Sequence, residues 1–254
     1  MKFGETSRIV TCLSRDYGRL KALAKGVRAA RPKFGGALEP FARMELVFYR
    51  KNHGDLHLVS QADLIEGFLG LTDDLMRYAF GCGVLEFVER VVSDEEEAAV
   101  VYDDAIDVLR LMQESDRDSL PHLLRAFQMK AIVTLGHGPE LFHCTACGRD
   151  AGASTFLSAL SGGILCAACA RGASNVIRIG GAALGILRAY REEPLRSTAL
   201  RTVDPRVRAE VGKVMEAFLS AQFDTYRGLK SLRMAAALRD LTRKSAIESG
   251  SPSG

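Results

Sequence analysis

Four cysteines arranged as two pairs have the spacing in this sequence that most clearly indicates chemistry. Two residues separate the cysteines within each pair and eighteen separate the pairs, which comprise Cys144, Cys147, Cys166 and Cys169. This pattern is typical of a tetrahedral zinc site that takes two thiolates from each of two tight turns. Four thiolates leave no position for water, so we expect one structural zinc ion. A redox dithiol, which needs one pair only, and unrelated buried cysteines are the alternatives.

Basic side chains near the start of the chain form a second candidate site. Residues 1–60 contain twelve Lys or Arg against five Asp or Glu, residues 61–118 four against sixteen, and residues 119–254 eighteen against ten. A polyanion should bind the first and last segments and avoid the acidic middle, unless the solvated faces differ in sign by chance. The predicted DNA contacts are Lys21, Lys25, Arg28, Arg31, Lys33, Arg50 and Lys51.

Aromatic side chains that stack on bases would complement these phosphate contacts without imposing sequence specificity. The candidates in the same segment are Tyr17, Phe34, Phe41, Phe48 and Tyr49. Some of them must belong to the core, and the sequence does not distinguish these from the rest. The alternative DNA site lies in the basic C-terminal helices, around Arg233, Arg239 and Arg243.

Sequence motifs that indicate catalysis are missing. The chain has no P-loop, no G-x-G-x-x-G opening a helix, no G-x-S-x-G and no His-Glu-x-x-His. We therefore predict a DNA-binding protein that is not an enzyme. Two other classes stay open: a zinc-dependent nucleic-acid enzyme would need an open coordination position, and a zinc-containing transcription factor would bind DNA with sequence specificity.

The elements that position these residues fall into two domains, which makes the fold class α+β. Residues 1–61 predict a small β-barrel or sandwich, with strands at 8–13, 20–24, 41–49 and 56–59 and glycine-bearing turns between the paired strands. Residues 62–254 predict an α-helical domain with helices near 75–88, 98–112, 119–135, 180–191 and 205–243, into which the zinc-binding segment 140–172 is inserted.

The same sequence indicates where the protein acts in the cell. No stretch reaches the roughly 18 apolar residues that a membrane span needs. Residues Met1 to Ser7 contain neither an apolar core nor a small-residue cleavage site, so no secretory signal is predicted. We expect a cytoplasmic, nucleoid-associated protein whose cysteines are reduced.

Several short motifs, taken together, resemble the RecO family of bacterial DNA repair and recombination mediators. They are Glu5-Thr-Ser-Arg-Ile-Val, Gly18-Arg-Leu, Ala24-Lys-Gly-Val-Arg28, Gly36-Ala-Leu-Glu-Pro-Phe41, Leu71-Thr-Asp-Asp-Leu75, Leu124-Arg-Ala-Phe127, Leu135-Gly-His-Gly-Pro-Glu-Leu141 and Cys144-x-x-Cys147-Gly148. The resemblance covers nearly the whole chain to Cys169 and continues more weakly, as helical character, beyond it.

The resemblance implies an N-terminal OB-fold, a helical domain and a zinc-finger insertion. It also implies that the protein binds and anneals single- and double-stranded DNA, acts with RecR in the RecFOR pathway, and helps RecA to load on DNA coated by the single-stranded-DNA-binding protein. Family members have a strand before the motif at Glu5. Here, either translation starts upstream of Met1 or the barrel lacks its first strand and has an open edge.

A third candidate site lies on the helix that runs from Leu123 to Leu135. The resemblance suggests that it binds the acidic, apolar C-terminal tail of the single-stranded-DNA-binding protein. Arg125 would pair with the tail carboxylate, while Leu135 and Gly136 would line an apolar pocket. The alternative is that Arg125 pairs only with a carboxylate of the acidic segment 61–118.

Overall fold

The structure, a computed structural model, describes residues 7–27, 34–50, 56–93, 98–152 and 155–237. Its first four strands are β1 (Arg8–Ser14), β2 (Gly18–Ala24), β3 (Ala42–Tyr49) and β4 (Leu56–Gly67), and three helices follow, α1 (Leu75–Val91), α2 (Ala99–Glu114) and α3 (Leu120–Thr134). The rest comprises β5 (Thr155–Ser158), β6 (Gly163–Cys166), α4 (Ala167–Ala170), β7 (Val176–Ile179), α5 (Gly181–Glu192), α6 (Leu195–Ala199) and α7 (Pro205–Gln222). The mixture of separate sheets and helices confirms the α+β class.

The first four strands form one sheet in the order β1-β2-β4-β3. Strand β2 pairs with β1 in the antiparallel sense and with β4 in the parallel sense, and β3 pairs with β4 in the antiparallel sense. Within the described residues, β1 and β3 each have one edge that no strand covers. The predicted barrel is therefore not closed, because closure requires a strand between these two edges.

Strand β4 is longer than the sequence predicted, so the proposed boundary at residue 61 falls inside it. Its second half, from Gln61 to Gly67, pairs only with β3 and is largely exposed. Acidic residues and glycine are depleted in strands, which is why this part of the pattern did not predict one. The first long helix begins only at Leu75, where the Asp74 carboxylate accepts hydrogen bonds from the backbone amides of Met76 and Arg77, both at 3.1 Å.

Phe41 connects the sheet to the helices. Although it directly precedes β3, its side chain is buried in the large core that the helices share. Its ring contacts Tyr78 of α1 edge-to-face at 5.4 Å, and a Cβ added to Gly81 would lie 2.9 Å from that ring. Phe41 holds a positive φ of 63°, an uncommon conformation for a bulky residue. The sheet is thus fixed to α1 by an aromatic side chain that needs a glycine opposite it.

The helical region differs from the prediction near its C-terminal end. The helix predicted over 205–243 ends at Gln222, and the chain becomes helical again only at Lys230. Gly228 lies between them with a φ of +73°, which favours glycine and interrupts the helix. In the part of the chain that the structure describes, no helix is both long and apolar enough to cross a membrane.

Candidate metal centre and nucleic-acid surface

The four paired cysteines come together as the sequence predicted. Their Sγ atoms all lie within 4.8 Å of one another, and the Sγ atoms of Cys147 and Cys166 are 4.0 Å apart. A tetrahedral ion with metal–sulfur bonds of about 2.3 Å places sulfurs about 3.8 Å apart, so the cluster can hold one metal ion. His143 is not part of this group, as expected, and its side chain is exposed.

Two tight turns present these cysteines. In the first, the Gly148 amide donates to the Cys144 carbonyl at 2.8 Å, and Gly148 holds the φ of +70° that closes the turn. In the second, Cys166 ends β6 and Cys169 lies one helical turn later in α4. The Thr145 amide donates to the Ile164 carbonyl at 2.9 Å and so joins the two turns.

The electrostatics of the cluster favour a bound cation. Burial opposes ionisation of Cys144, but hydrogen bonds from nearby backbone amides outweigh it and lower the pKa of this thiol to about 6. The neighbouring cysteine side chains, Cys166 first, raise the pKa of Cys169 to about 12. Ionisation of Cys169 beside its neighbours is therefore favoured by a compensating positive charge. Arg149, which the sequence analysis missed, contributes by hydrogen bonding to Cys147, which lowers the pKa of that thiol.

The metal-binding segment is attached firmly to the helical core. Arg188 of α5 donates to the Leu141 carbonyl at 2.8 Å, and its guanidinium lies 5.1 Å from the centre of the Phe142 ring. Gly163 of β6 approaches the Glu140 backbone so closely that a Cβ there would lie 2.4 Å from the Glu140 carbonyl oxygen. The segment that carries the cysteine cluster therefore packs as part of the large hydrophobic core.

The outward face of the first sheet brings together some of the predicted DNA contacts. Along β2, buried residues alternate with half-buried ones, and Lys21 and Leu23 belong to the half-buried set. Leu58 of β4 pairs with Leu23 on one side and with Tyr49 on the other, and paired residues share a face. Lys21 and Tyr49 thus lie on one face, on strands that are two spacings, about 10 Å, apart.

The remaining predicted contacts divide into those at the strand ends and those outside the described residues. Lys25 directly follows β2 and Arg50 directly follows β3, and both are exposed. Arg28, Arg31, Lys33 and Lys51 lie outside the described residues, as do Arg239 and Arg243 of the alternative site. Arg233 of that alternative site is described and donates to the Arg227 carbonyl at 3.2 Å.

The structure sorts the aromatic candidates that the sequence left unsorted. Phe34 and Phe41 are buried, so they are core residues. Phe48 is half-buried and packs edge-to-face against Tyr17, with ring centres 5.8 Å apart. Tyr49 is 65% exposed and lies on the outward face, which makes it the aromatic side chain best placed to stack on a base.

Part of the charge segregation is neutralised inside the molecule. Arg15 at the end of β1 pairs with Asp103 of α2 at 3.0 Å. Glu66 at the end of β4 receives two hydrogen bonds from Arg110, at 2.9 and 2.6 Å, and these lower the pKa of its carboxyl group. Arg43 lies 3.8 Å from the same carboxylate. Some basic residues of the first segment therefore hold the sheet against the acidic helix.

The three predicted tail-binding residues do not line one pocket. Arg125 donates to Glu216 of α7 and to Gln128, both at 2.8 Å, so the alternative partner in segment 61–118 is wrong. Leu135 and Gly136 lie about ten residues further along the chain, about 15 Å for a helix. Arg125 instead borders a small cavity with Arg208, which the sequence analysis missed because it lies on a distant helix.

Two family models and several known proteins match this chain. The family model "Recombination protein O N terminal" matches residues 1–68 and "Recombination protein O C terminal" matches residues 72–233. The DNA repair protein RecO of Pelotomaculum thermopropionicum is 32% identical over 228 residues, 90% of this chain and 86% of the relative. That of Symbiobacterium thermophilum is 30% identical over 241 residues, 93% of each chain. That of Streptomyces avermitilis is 35% identical over 175 residues, 66% of this chain and 69% of the relative.

The matches and the site geometry agree on the family. The N-terminal model ends at residue 68, directly after β4, and the C-terminal model begins just before α1 and includes the cysteine cluster. The two models together cover most of the chain. This chain therefore belongs to the RecO family of DNA repair proteins.

Proposed function

We propose that this protein is a non-enzymatic recombination mediator, which binds and anneals DNA and assists loading of the recombinase on DNA coated by the single-stranded-DNA-binding protein. The observation that carries the proposal is the outward face of the first sheet. It combines the exposed Tyr49 with Lys21, and Lys25 and Arg50 follow at the strand ends. A basic sheet with an exposed aromatic ring binds single strands with little sequence preference.

The domains and the cysteine cluster have structural roles in this function. The first sheet belongs to an OB-fold that we assign to residues 1–61, with β4 extending to Gly67, and residues 62–254 form the helical domain. The cysteine cluster in segment 140–172 holds one zinc ion, because four thiolates suit zinc and complete its tetrahedral coordination. Such a site stabilises the fold and leaves no position for a substrate.

Binding to a fluorescent oligothymidylate, measured at several salt concentrations, tests the DNA surface. Tyr49→Ala should weaken binding about fivefold or more, since stacking contributes about 1–3 kcal/mol per base. Tyr17→Ala is the matched control, because Tyr17 is also exposed but lies in the β1–β2 turn. Replacing Lys25 and Arg50 by glutamine should reduce the salt dependence by roughly one counterion per lost contact.

Two results would contradict this assignment. If Tyr49→Ala binds as tightly as the wild type does, no base stacks on Tyr49 of the outward face. If the charge variants leave the salt dependence unchanged, the phosphate contacts lie elsewhere, and Arg233→Gln then tests the C-terminal alternative. Arg28, Arg31, Lys33 and Lys51 remain predicted contacts and are tested in the same way.

We further propose that the protein acts with RecR and that the cavity beside Arg125 binds the tail of the single-stranded-DNA-binding protein. The cavity, of about 200 Å³, is lined by two arginines, by the polar side chains of His122 and Tyr190, and by apolar residues that include Phe80, Leu124, Val211 and Leu232. The two arginines are Arg125 and Arg208. Two cations above an apolar floor suit an acidic tail with an apolar end. Leu135 and Gly136 would contact a more distant part of the tail.

Titration with a peptide of that tail tests this second site. Arg208→Ala should weaken binding about tenfold, as expected for a lost charge-assisted hydrogen bond. Arg125→Ala also removes the partner of Glu216, so Glu216→Gln is needed to separate lost stability from lost binding. Unchanged affinity in both arginine variants would exclude the cavity as the tail site.

A further inference from the structure

We propose that His122 and Tyr190 extend the anion site beside Arg208, and that the imidazole Nε2–H of His122 donates a hydrogen bond to the C-terminal carboxylate of a bound peptide. This role rests on the proposed function of the cavity as the tail site and adds two residues to it. His122 of α3 and Tyr190 of α5 both line that cavity. Both are almost fully buried, at 4% and 1% exposed.

A hydrogen bond between the two side chains fixes the position of the imidazole proton. The Nδ1 atom of His122 lies 2.6 Å from the hydroxyl oxygen of Tyr190, and in the described part of the chain it is the only hydrogen-bond partner of that hydroxyl. Burial raises the pKa of Tyr190, so the phenol keeps its proton. A buried hydroxyl needs an acceptor, so Tyr190 donates and Nδ1 accepts. A neutral imidazole whose Nδ1 accepts carries its hydrogen on Nε2.

This Nε2–H group is available to a ligand. Burial and, to a smaller extent, the charge of Arg208 lower the pKa of His122, which keeps the ring neutral at physiological pH. Among the described residues, Nε2 has no hydrogen-bond partner, and protein atoms do not enclose it, so it is open to the cavity that His122 lines. A polar group at such a largely buried place favours a ligand that accepts its hydrogen bond.

The groups around this donor select an anion. The residues that line the cavity include two arginines and no acidic residue. Arg208 donates to the backbone carbonyl of Asp118 at 2.9 Å, while the Asp118 carboxylate lies 4.0 Å away and is 98% exposed. So exposed a carboxylate neutralises Arg208 only weakly. An imidazole N–H beside this guanidinium therefore suits a carboxylate, which accepts hydrogen bonds at both oxygens.

The size and the walls of the cavity favour the end of a chain over an internal acidic residue. Its volume is about 200 Å³, and apolar side chains such as Phe80, Leu124 and Val211 form much of the wall. An internal residue would bring two backbone segments to the entrance, whereas a C-terminal residue brings one. The C-terminal residue also carries a carboxylate and an apolar side chain together, so it satisfies the donors and fills the walls at once.

Titration of the full chain with two forms of one tail peptide tests the role of His122. One form has a free C-terminal carboxylate, and the other has a C-terminal amide, which removes that charge and keeps the acidic side chains. The amide form should bind the wild type about tenfold or more weakly than the free acid does. In His122→Asn, this factor should shrink about fivefold, because the lost donor and the lost acceptor belong to one hydrogen bond.

Two substitutions separate binding by His122 from its role in packing. The amide of asparagine ends near the position of Nδ1, so it can still accept from Tyr190 but does not reach the cavity. Glutamine is one bond longer and can place its amide nitrogen near the position of Nε2. His122→Gln should therefore recover much of the affinity for the free acid. Circular dichroism shows whether each variant is folded.

Nitrogen NMR of a histidine-labelled chain reads the imidazole directly. Near neutral pH the wild type should show His122 as the Nε2–H tautomer, assigned by the loss of its signals in His122→Asn. The free-acid peptide should shift the Nε2 signal more than the amide form does, because only the free acid brings a terminal carboxylate to that atom.

Four outcomes would overturn the proposal. If folded His122→Asn binds both peptides as the wild type does, or loses the same factor for both, His122 does not contact the carboxylate, although the tail site itself would stand. An Nδ1–H tautomer in the wild type would also exclude the donor. Equal binding of the two peptides by the wild type would mean that no terminal carboxylate enters the cavity. If the wild type binds neither peptide, the proposed tail site fails as well.

Discussion

Replacing Glu86 with glutamine should destabilise the protein far more than the same change at Glu89, the other carboxylate of α1. Its carboxylate accepts hydrogen bonds from the Lys230 amide at 2.8 Å, from the Ser231 amide at 3.0 Å and from the Ser231 hydroxyl at 2.9 Å. It also pairs with Arg90 at 2.5 Å, and both side chains are about 15% exposed. This one carboxylate therefore fixes the start of the last described helix to α1.

The expected loss of stability in Glu86→Gln follows from the interactions that glutamine cannot make. Its amide nitrogen cannot accept from Ser231, and the neutral side chain leaves Arg90 without an anion. Breaking a buried ion pair costs about 3–5 kcal/mol, and the partial exposure places Glu86→Gln at the lower end, about 3 kcal/mol. For a protein of this size, that lowers Tm by about 6–12 °C. Glu89→Gln, an exposed carboxylate on the same helix, should change stability by about 0.5 kcal/mol or less.

The destabilisation by Glu86→Gln should also depend on pH and become smaller in acid. Burial raises the pKa of Glu86, but hydrogen bonds from Ser231 and Lys230 and the charge of Arg90 outweigh it, so its pKa is lowered. Because the pKa of Glu86 is lower in the folded protein than in the unfolded chain, its ionised carboxylate stabilises the fold at pH values above the unfolded pKa, about 4.3. This stabilisation is lost as the pH falls through the lower pKa of the folded state. The difference between wild type and Glu86→Gln should therefore be full at neutral pH and shrink below about pH 4.

Urea unfolding at neutral and acidic pH measures the free energy of unfolding of the wild type, Glu86→Gln and Glu89→Gln. Amide exchange at Lys230 and Ser231 adds a local readout, since Glu86→Gln should speed exchange there before it affects the sheet. Equal midpoints for the two variants, or a difference that persists unchanged in acid, would refute the reasoning.

Three further changes have expected outcomes. Cys169→Ser, or a strong chelator, should remove the bound metal and make segment 140–172 sensitive to protease. Cys82→Ser is the control, and metal analysis should still find one ion per chain in that variant. Phe41→Ala should lower the free energy of unfolding by about 3–5 kcal/mol, since this buried ring joins sheet and helices. Gly163→Ala should cost about 1–3 kcal/mol because of its contact with the Glu140 carbonyl, whereas Gly172→Ala, which meets nothing within 4 Å, should not.

The sequence predicted local features well. The spacing of the cysteines identified the metal cluster, because two tight turns need only a few residues each. The glycine and proline after residue 135 placed the end of α3 within one residue, since both are local signals for termination. The start of each of the first four strands was likewise predicted within about two residues.

The sequence could not predict features that depend on distant partners. The second half of β4 is a strand only because β3 lies beside it. Tyr49 and Phe41 are both aromatic residues flanking one strand, and only the packing against α1 distinguishes the exposed ring from the buried one. Arg125 pairs with a carboxylate of α7 and not with one of the acidic segment 61–118, because α7 packs beside α3.

The charges around the first sheet determine where on the sheet a polyanion can bind. Arg15 and Arg43 are joined to Asp103 and Glu66 on the side of the acidic helix. The face with Lys21 and Tyr49 also carries Glu45, an exposed residue of β3 that lies two repeats along the strand from Tyr49 and pairs with Asp63 of β4. A polyanion should therefore favour the end of this face with Lys21, Lys25 and Arg50 over the end with Glu45 and Asp63. Part of the charge segregation along the sequence thus holds the sheet against the helices, and we expect the rest to determine where on the sheet DNA binds.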